Sequence, residues 1–205
     1  DEARKRILSN FQAGGTETIP LVSCASRVLG VDVRAEHALP FFDNSAMDGF
    51  AVRAEDTSAS PTTLKVVADI PAGSAPKVSL ATGEAARIMT GAPLPGGADA
   101  VIPVEDTDFK HRDAGSPVPQ TVSFEKTIKT GANVRPRGMD ARAGEAVLQK
   151  GRALKAQDLG VLAALGYGQV EVYKKPRIAL LSSGDELLEV DAPLESGKIR
   201  DSNSY

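Results

Sequence analysis

Short runs of aliphatic and β-branched residues, separated by turn residues, dominate the middle of the chain. Between residues 50 and 126 the runs LKVVADI, EAARIMT, DAVIPVED and PQTVSFEK alternate with turn signals such as PAGS and GAPLPGGA. Runs of this length bounded by Gly, Pro, Asp and Ser are typical of strands joined by tight turns. The pattern predicts a β-rich unit. It also predicts a loop at residues 111–119, HRDAGSPVP, which has no core residues.

Helical spacing of apolar residues appears near the two ends of this unit. Residues 1–12 place apolar side chains on one face before Gly14, and residues 154–165 do the same before Gly166. We predict a third helix at about 23–29, ending at Gly30. The remaining predicted strands begin at Val31, alternate through residues 144–151, and cover residues 169–174.

A continuous apolar run at residues 178–181 begins a different pattern. It is followed by a Ser-Ser-Gly turn and by Asp185 and Glu186, which is typical of a strand buried on both faces that leads into a helix. A parallel strand of this kind needs neighbours joined by crossovers of a dozen or more residues. Only residues 182–205 follow it. We therefore expect a chain that is truncated early in an α/β domain.

Charge and cysteine content exclude some classes of function. The net charge of -3 argues against general nucleic-acid binding, which usually requires a basic domain or stripe. The single cysteine, Cys24, excludes an internal disulfide, and its apolar surroundings favour a buried, inert thiol. The sequence has no run of about 18 apolar residues and no leader-like opening. We expect a cytoplasmic protein that binds neither nucleic acid nor membrane.

The stretch at residues 39–53, LPFFDNSAMDGFAVR, concentrates carboxylates, small residues and aromatics. Asp43 and Asp48 lie five positions apart among turn-forming residues, and a strand begins at Phe50. A polar loop that carries two carboxylates into a strand can present them to a ligand or a hard cation. The alternative is an Asx-turn with solvated aspartates, since charged loop residues are mostly exposed. The residues alone leave both interpretations open.

Two further segments have the composition of anion-binding loops. In MTGAPLPGG, residues 89–97, Gly91 permits a tight turn and the Thr90 hydroxyl can donate to an anion; an ordinary loop is the alternative. In NVRPRGMDAR, residues 133–142, arginines surround Asp140. Their guanidinium forks match the oxygens of an oxyanion, and an ion-paired interface loop is the alternative. Strand-end solvation explains Asp99, Glu105 and Asp106 as well as function does.

The turn SSGDEL at residues 182–187 and the segment GKIRDSNS at residues 197–204 complete the candidates. A strand-to-helix turn offers backbone amides and a helix dipole to an anion. In the second segment, Asp201, Ser202 and Asn203 are residues that cap helices. Many α/β turns share such residues, so this signal is modest on its own.

The run DNSAMDGFAVR resembles a signature of the molybdopterin molybdotransferases, the bacterial MoeA proteins and the E domain of gephyrin. The resemblance continues in the family's order through ARKRIL, RVLGVDV, RIMTGAPLPGGADAVIPVED, NVRPRGMD, SSGDEL and GKIRDSNS, and so spans nearly the whole chain. Three departures stand out. Met139 replaces a usual acidic residue before Asp140, and Phe41 and Phe50 replace a common proline and tyrosine.

The resemblance implies a reaction and a set of site residues. The reaction is insertion of molybdate into adenylylated molybdopterin with release of AMP and with Mg²⁺ as cofactor. The implied catalytic residues are Asp48, Thr90, Asp140 and Glu186, and Asp185 with Glu186 are the implied metal ligands. The implied substrate-binding residues are Asp43, Ser45, Gly91, Arg137, Ser183, Gly184, Asp185, Asp201 and Ser202.

The resemblance also implies an architecture and partners. We expect an α+β multidomain fold: an N-terminal helix (1–17), an elongated discontinuous region (18–44 with 131–175), an inserted β-rich domain (45–130), and from 176 the start of a three-layer, MogA-like α/β domain. The family implies a homodimer, and a further expected partner is the molybdopterin adenylyltransferase that supplies the substrate. We expect residues 1–205 alone to be nearly inactive.

Two other classes of function stay open at this point. A gephyrin-like scaffold uses the same fold to bind a partner protein without turnover. A β-rich module that binds a pterin without chemistry is the other. Release of AMP distinguishes the enzyme from both.

Overall fold

Strands dominate the structure, and helices are few. The computed structural model describes residues 2–59, 61–109 and 116–205. In chain order the helices and strands are α1 (Glu2–Leu8), β1 (Thr16–Pro20), β2 (Val33–Arg34), β3 (Asn44–Ser45), β4 (Gly49–Val52), β5 (Thr62–Ile70), β6 (Glu84–Ile88), β7 (Ala100–Pro103), β8 (Thr121–Phe124), β9 (Val134–Arg135), β10 (Ala146–Leu148), α2 (Ala156–Ala164), β11 (Gln169–Tyr173), β12 (Leu187–Leu188) and β13 (Ile199–Arg200). Short 3-10 helices lie at Leu21–Ser23, Ala54–Thr57 and Val104–Asp106.

A five-stranded sheet of order β7-β4-β6-β5-β8 carries apolar clusters on both faces. Phe50 and Val52 of the central strand β4 belong to one cluster, and Ala51 belongs to the other, because successive side chains of a strand point to opposite faces. Burying a side chain as large as Phe50 contributes about 1.5–3 kcal/mol. Gly49 begins β4 where a Cβ atom would lie 2.0 Å from the Ile102 carbonyl oxygen. The strands predicted for residues 50–126 are confirmed.

Antiparallel pairing joins the segment that precedes this sheet in the sequence to a segment that follows it. β1 pairs with β11, and β2 pairs with β10, so that residues 16–34 lie beside residues 146–173. A third core fills this region, with Cys24, Leu29, Leu162 and Val172 fully buried. Burial raises the pKa of the Cys24 thiol, which suits an inert core residue. α2 covers this core, and the predicted helix there is confirmed.

The helix predicted at 23–29 is wrong. A 3-10 helix ends at Ser23, and the backbone then pairs with the segment before α2. The Leu29 amide donates to the Arg152 carbonyl at 2.9 Å, and the Leu154 amide donates to the Arg27 carbonyl at 2.8 Å. These distant partners satisfy the backbone groups that a helix would have satisfied locally, so tertiary pairing overrides the local propensity.

The pattern predicted at 178–188 is also wrong. The apolar run forms no strand and is solvent-exposed, with Leu181 94% exposed. No helix follows within the described residues; instead β12 pairs in parallel with β13 after a turn at Gly184. A strand buried on both faces needs sheet neighbours and covering helices, and residues 176–205 supply neither in this structure.

The N-terminal helix is shorter than predicted, and none of its residues is buried. Ile7, Leu8 and Phe11 are all more than half exposed. Residue 1 and most of the loop predicted at 111–119 lie outside the described residues, whereas residues 116–119 are irregular as predicted. In the described ranges, no helix has the length and apolar character needed to span a bilayer.

Asp158 links α2 to the strand region, and we expect it to be an important stabilising carboxylate. Its side chain is 3% exposed and accepts hydrogen bonds from Arg152 (3.0 Å to Nε) and from the Lys155 amide (2.9 Å). The Arg152 hydrogen bond, followed by the Lys155 amide, lowers the pKa of Asp158. Asp158→Asn should lower the free energy of unfolding at pH 7 by about 1–3 kcal/mol, because it weakens an N-terminal cap and a charge-assisted bond.

The effect should depend on pH in a defined direction. A carboxyl group with a lowered pKa in the folded state stabilises fully above its unfolded pKa of about 3.9 and loses that contribution as pH falls through the folded value. Denaturant titrations should therefore show the wild-type advantage shrinking below about pH 4. Glu36→Gln, at an exposed acid, is the matched control. An equal deficit at pH 2.5 and pH 7 would contradict the assignment.

Candidate functional site

Three loops meet where the chain passes between the β1–β11 region and the five-stranded sheet. They are residues 43–48, 89–95 and 133–142, which we call the triple-loop site. β3, in the first loop, pairs with β9 in the third. It also touches the second, because the Ser45 amide donates to the Ala92 carbonyl (3.0 Å) and the Gly91 amide donates to the Ser45 carbonyl (2.8 Å). The structure therefore brings together three motifs that are separated by about 40 positions each in the sequence.

Asp48 and Thr90 are joined by two hydrogen bonds to a single oxygen atom. One carboxylate oxygen of Asp48, Oδ1, accepts from both the backbone amide and the hydroxyl of Thr90, each at 2.7 Å. An ionised carboxylate can only accept, so the hydroxyl hydrogen of Thr90 points to Asp48. Asp48 therefore holds the Thr90 hydroxyl in place, and donation from this hydroxyl to an anion stays a prediction.

Backbone geometry fixes the pair. Gly91 has φ +80°, the left-handed region in which glycine is least strained, and this turns the chain sharply after Thr90. The Val104 amide donates to the Asp48 carbonyl at 3.0 Å and anchors the other partner. Asp48 is half-buried and Thr90 is exposed, so the pair lies at the protein surface.

Asn44 and Ser45 are buried between the loops. The Ser45 side chain donates to the Met47 carbonyl at 2.5 Å, and with Ser45 1% exposed its role is to shape the loop, whereas the resemblance implied substrate contact. Asn44 is 8% exposed, and its Oδ1 atom has no hydrogen-bond partner among the described residues. Sequence reasoning missed Asn44, because the feature that marks it is three-dimensional burial.

A hydrogen bond from a backbone amide to a carboxylate and an ion pair hold the third loop. Asp43 Oδ1 accepts from the Arg137 amide at 2.6 Å, and Arg135 pairs with Asp140 at 2.5 Å. Arg142 uses its backbone amide to bind Glu145, and within the described ranges its guanidinium makes no hydrogen bond or ion pair. The arginines expected around Asp140 therefore divide: one is paired with it, and two extend elsewhere.

The residues predicted near the end of the chain form a second group. The Ser182 hydroxyl donates to Asp201 at 3.2 Å, and the Ile199 amide donates to the Glu186 carbonyl at 2.8 Å. Hydrogen bonds from the Ser204 hydroxyl first, then from the Asn203 amide, lower the pKa of Asp201. Asp201 thus caps a loop, not the predicted helix. The structure joins SSGDEL to GKIRDSNS as neighbouring loops.

The two groups are not bonded to each other in the described part of the chain. No hydrogen bond or ion pair between described residues connects the triple-loop site with residues 182–204. In the second group, Ser183, Gly184, Asp185, Glu186 and Ser202 are exposed. The Lys198 ammonium donates to the Asp185 carbonyl at 2.7 Å, which places a positive charge beside the expected metal ligands.

The acids at 99–106 have structural partners. Asp99 accepts from the Ala54 amide at 2.7 Å and from the Thr130 hydroxyl at 3.0 Å, and Asp106 pairs with Lys126 at 2.7 Å. Asp99 therefore ties the end of β4 to the 130 turn. This favours the structural interpretation of Asp99 over a catalytic one.

The chain is similar in sequence to a known family of proteins. Residues 1–166 match the family model described as "MoeA N-terminal region (domain I and II)". The chain is 44% identical over 191 residues to "Molybdopterin molybdenumtransferase 2" of Mycobacterium tuberculosis H37Rv, covering 91% of this chain and 45% of that protein. It is 39% identical over 208 residues to the molybdopterin molybdenumtransferase of Bacillus subtilis, covering 100% and 47%.

A solved structure agrees with the sequence comparisons. The MoeA protein of Pyrococcus horikoshii OT3 superposes with a TM-score of 0.85 at 36% identity, covering 99% of this chain and 53% of that chain. The present chain spans about half the length of the curated relatives it matches. The resemblance inferred from DNSAMDGFAVR is confirmed, and the chain belongs to the MoeA family of molybdopterin molybdenumtransferases.

Proposed function

We propose that the full-length protein inserts molybdate into adenylylated molybdopterin and releases AMP. The observation that carries the proposal is the Asp48–Thr90 pair, held by the convergence of the three predicted motifs. The names of the relatives in several bacteria describe a transferase acting on molybdopterin. Both observations favour an enzyme over the gephyrin-like scaffold and over a module that only binds.

The residues divide the chemical work between orientation and charge stabilisation. Asp48 orients Thr90, and the pair could accept hydrogen bonds from a water molecule or from a protonated oxygen of the substrate. Cleavage of the phosphoanhydride spreads negative charge over phosphate oxygens, and preorganised donors stabilise such charge without reorganising. We assign this role to Arg137, with Asp140 holding the neighbouring Arg135 in place. Asp43 fixes the Arg137 backbone.

Asp185 and Glu186 could hold Mg²⁺ only if the substrate and water supplied the remaining ligands. Among the described residues, no group of three or more His, Cys, Asp or Glu side chains could hold a metal alone. Mg²⁺, however, commonly uses one or two carboxylates together with waters and substrate phosphates. Asp185 and Glu186 are consecutive and exposed, which suits such a site. Bound there, Mg²⁺ would polarise the phosphoanhydride.

We propose the following domain organisation for the chain. The β1–β11 and β2–β10 pairings support one discontinuous region (18–44 with 131–175), and the five-stranded sheet supports an inserted domain at 45–130. Residues 1–17 form a separate N-terminal segment that contains α1 and ends where β1 begins, and residues 176–205 belong to a three-layer α/β domain. The match to domains I and II of the family supports the first two assignments.

We further propose a homodimer that works in the cytoplasm. The lack of any hydrogen bond or ion pair between the triple-loop site and residues 182–204, among the described residues, supports a cleft built from two chains, since both groups carry predicted site residues. A symmetric dimer would then contain two equivalent clefts. The substrate requires an adenylylating enzyme upstream, so molybdopterin adenylyltransferase is the partner we propose.

The reaction itself provides the first test. Full-length protein incubated with adenylylated molybdopterin, Mg²⁺ and molybdate should release AMP, as measured by chromatography, and omission of molybdate should prevent sustained release. A protein that retains the intact anhydride under all these conditions would support the binding module instead. Capture of a partner peptide without any AMP release would support the scaffold.

The Asp48–Thr90 pair should matter for turnover much more than for folding. Asp48→Asn and Thr90→Ala in the full-length protein should each lower kcat/KM by about 10² or more, because they remove a positioned group at the reacting centre. Surface loop changes usually shift the free energy of unfolding by about 0.5 kcal/mol or less. Thr63→Ala, at an exposed threonine of β5, is the control. Parallel losses of activity and of several degrees in Tm would indicate a structural pair.

A mixing experiment tests the shared cleft. Full-length Asp48→Asn and full-length Glu186→Gln, each inactive alone, should recover about a quarter of wild-type activity after subunit exchange. Random exchange makes about half of the dimers mixed, and each mixed dimer has one of two clefts without either substitution. Absence of recovery after exchange has been demonstrated by mass spectrometry would mean that both groups act within one chain.

A further inference from the structure

A large aromatic side chain lies exposed on a rigid backbone beside the triple-loop site. Phe41 is 57% exposed and belongs to none of the buried clusters. Its backbone is nevertheless pinned: the Gly138 amide donates to the Pro40 carbonyl at 3.0 Å, and the Asp140 amide donates to the Leu39 carbonyl at 2.8 Å. The backbone that carries the ring therefore has little conformational freedom to lose when something binds to it.

Two side chains contact the Phe41 ring. The guanidinium carbon of Arg137 lies 5.6 Å from the ring centroid, which is a cation–π distance. The His37 ring meets it edge-on, at 5.6 Å between centroids and an interplanar angle of 84°. We call these three side chains the Phe41 platform. Because the ring keeps more than half of its surface exposed, these contacts leave most of its area open.

The platform combines a planar apolar surface with unpaired positive charge. Within the described part of the chain, the Arg137 guanidinium has no hydrogen bond or ion pair, and it lies over the Phe41 ring. Guanidinium forks bind phosphate oxygens in a bidentate manner, and Arg142 offers a second such group in the same loop. The complementary ligand is a flat ring that carries an anionic phosphate.

We propose that the Phe41 platform stacks a planar nitrogen heteroaromatic ring of the substrate while Arg137 contacts its phosphate. The assignment rests on the proposed function, whose substrate contains two such rings, an adenine and a pterin. Both present the same chemistry to Phe41, and the ligands of the experiment distinguish them. A structural role explains the platform less well, since an exposed ring buries little apolar area.

Ligand titrations on the full-length protein test the platform. The probes are AMP, pterin-6-carboxylate and ribose 5-phosphate, followed by calorimetry or by quenching of pterin fluorescence. Stacking on an aromatic side chain contributes about 1–3 kcal/mol, so Phe41→Leu should weaken one of the ring ligands by at least about fivefold. Ribose 5-phosphate, which has no aromatic ring, should bind equally to both proteins. The ring ligand that responds identifies the adenine or the pterin.

Matched variants separate stacking from general damage. Phe42→Leu changes the adjacent, 43% exposed phenylalanine and should leave all three affinities unchanged. Arg137→Lys keeps the charge but removes the planar fork, and should weaken both the ring ligand and ribose 5-phosphate. In the AMP-release assay, Phe41→Leu should raise KM for adenylylated molybdopterin more than it lowers kcat.

Several results would overturn the platform. These are an equal loss of ribose 5-phosphate binding in Phe41→Leu, no binding of either ring ligand to the wild-type protein, or dissociation of a dimer by Phe41→Leu without any change in ligand affinity. If Phe41→Leu turns over with unchanged KM, the platform is wrong while the proposed reaction stands. Wild-type protein that binds a ring ligand through Phe41 but never releases AMP would contradict the reaction and keep the platform.

Discussion

The two-residue strand β3 is the constraint on which the site depends. Its backbone is held by β9 on one side and by the 91–94 turn on the other, through bonds such as Leu94 amide to Asp43 carbonyl at 3.1 Å. Side chains alternate between faces along a strand, so a register slip of one residue would turn Asn44 and Ser45 to the opposite faces. The same slip would misplace Asp48. Loops with this degree of backbone pairing behave as part of the scaffold, which is how catalytic geometry is best maintained.

The five-stranded sheet fixes the position of the loop at residues 89–95. Arg87, 6% exposed, binds Asp69 through two hydrogen bonds of 2.7 Å and joins β5 to β6 just before Met89 and Thr90. The hydrogen bonds that Arg87 donates to Asp69 raise the Arg87 pKa, so the guanidinium stays charged. Arg87 is buried whereas Asp69 is partly exposed, so replacing Asp69 would leave a buried charge without its carboxylate partner, which is destabilising. The ends of these strands are therefore tied where the 89–95 loop begins.

Local sequence signals predicted only part of this arrangement. The strands of the central sheet and α2 were predictable, because their apolar periodicity and turn residues agree with their tertiary environment. The helix predicted at 23–29 failed because the Leu29 amide bonds the Arg152 carbonyl and the Arg27 carbonyl accepts from the Leu154 amide, far along the chain. At the site, the motifs identified Asp48 and Thr90. No sequence pattern could show that both Thr90 donors bind one Asp48 oxygen, that Asn44 is buried, or that Arg137 lies over Phe41.

The charges at the site resolve an apparent conflict with an anionic substrate. The chain is acidic overall, with a net charge of -3, and the triple-loop site contains Asp43, Asp48 and Asp140. Each of these carboxylates accepts hydrogen bonds from a backbone amide or an arginine, which compensates its charge locally. Arg137 and Arg142 keep their guanidinium groups unpaired among the described residues. The Debye length in physiological salt is about 8 Å, so charges farther away than this are largely screened. A ligand at the site therefore interacts with these nearby groups far more strongly than with the net charge of the whole chain. The proposed oxyanion substrate would thus meet carboxylates that already accept hydrogen bonds, together with the guanidinium groups of Arg137 and Arg142.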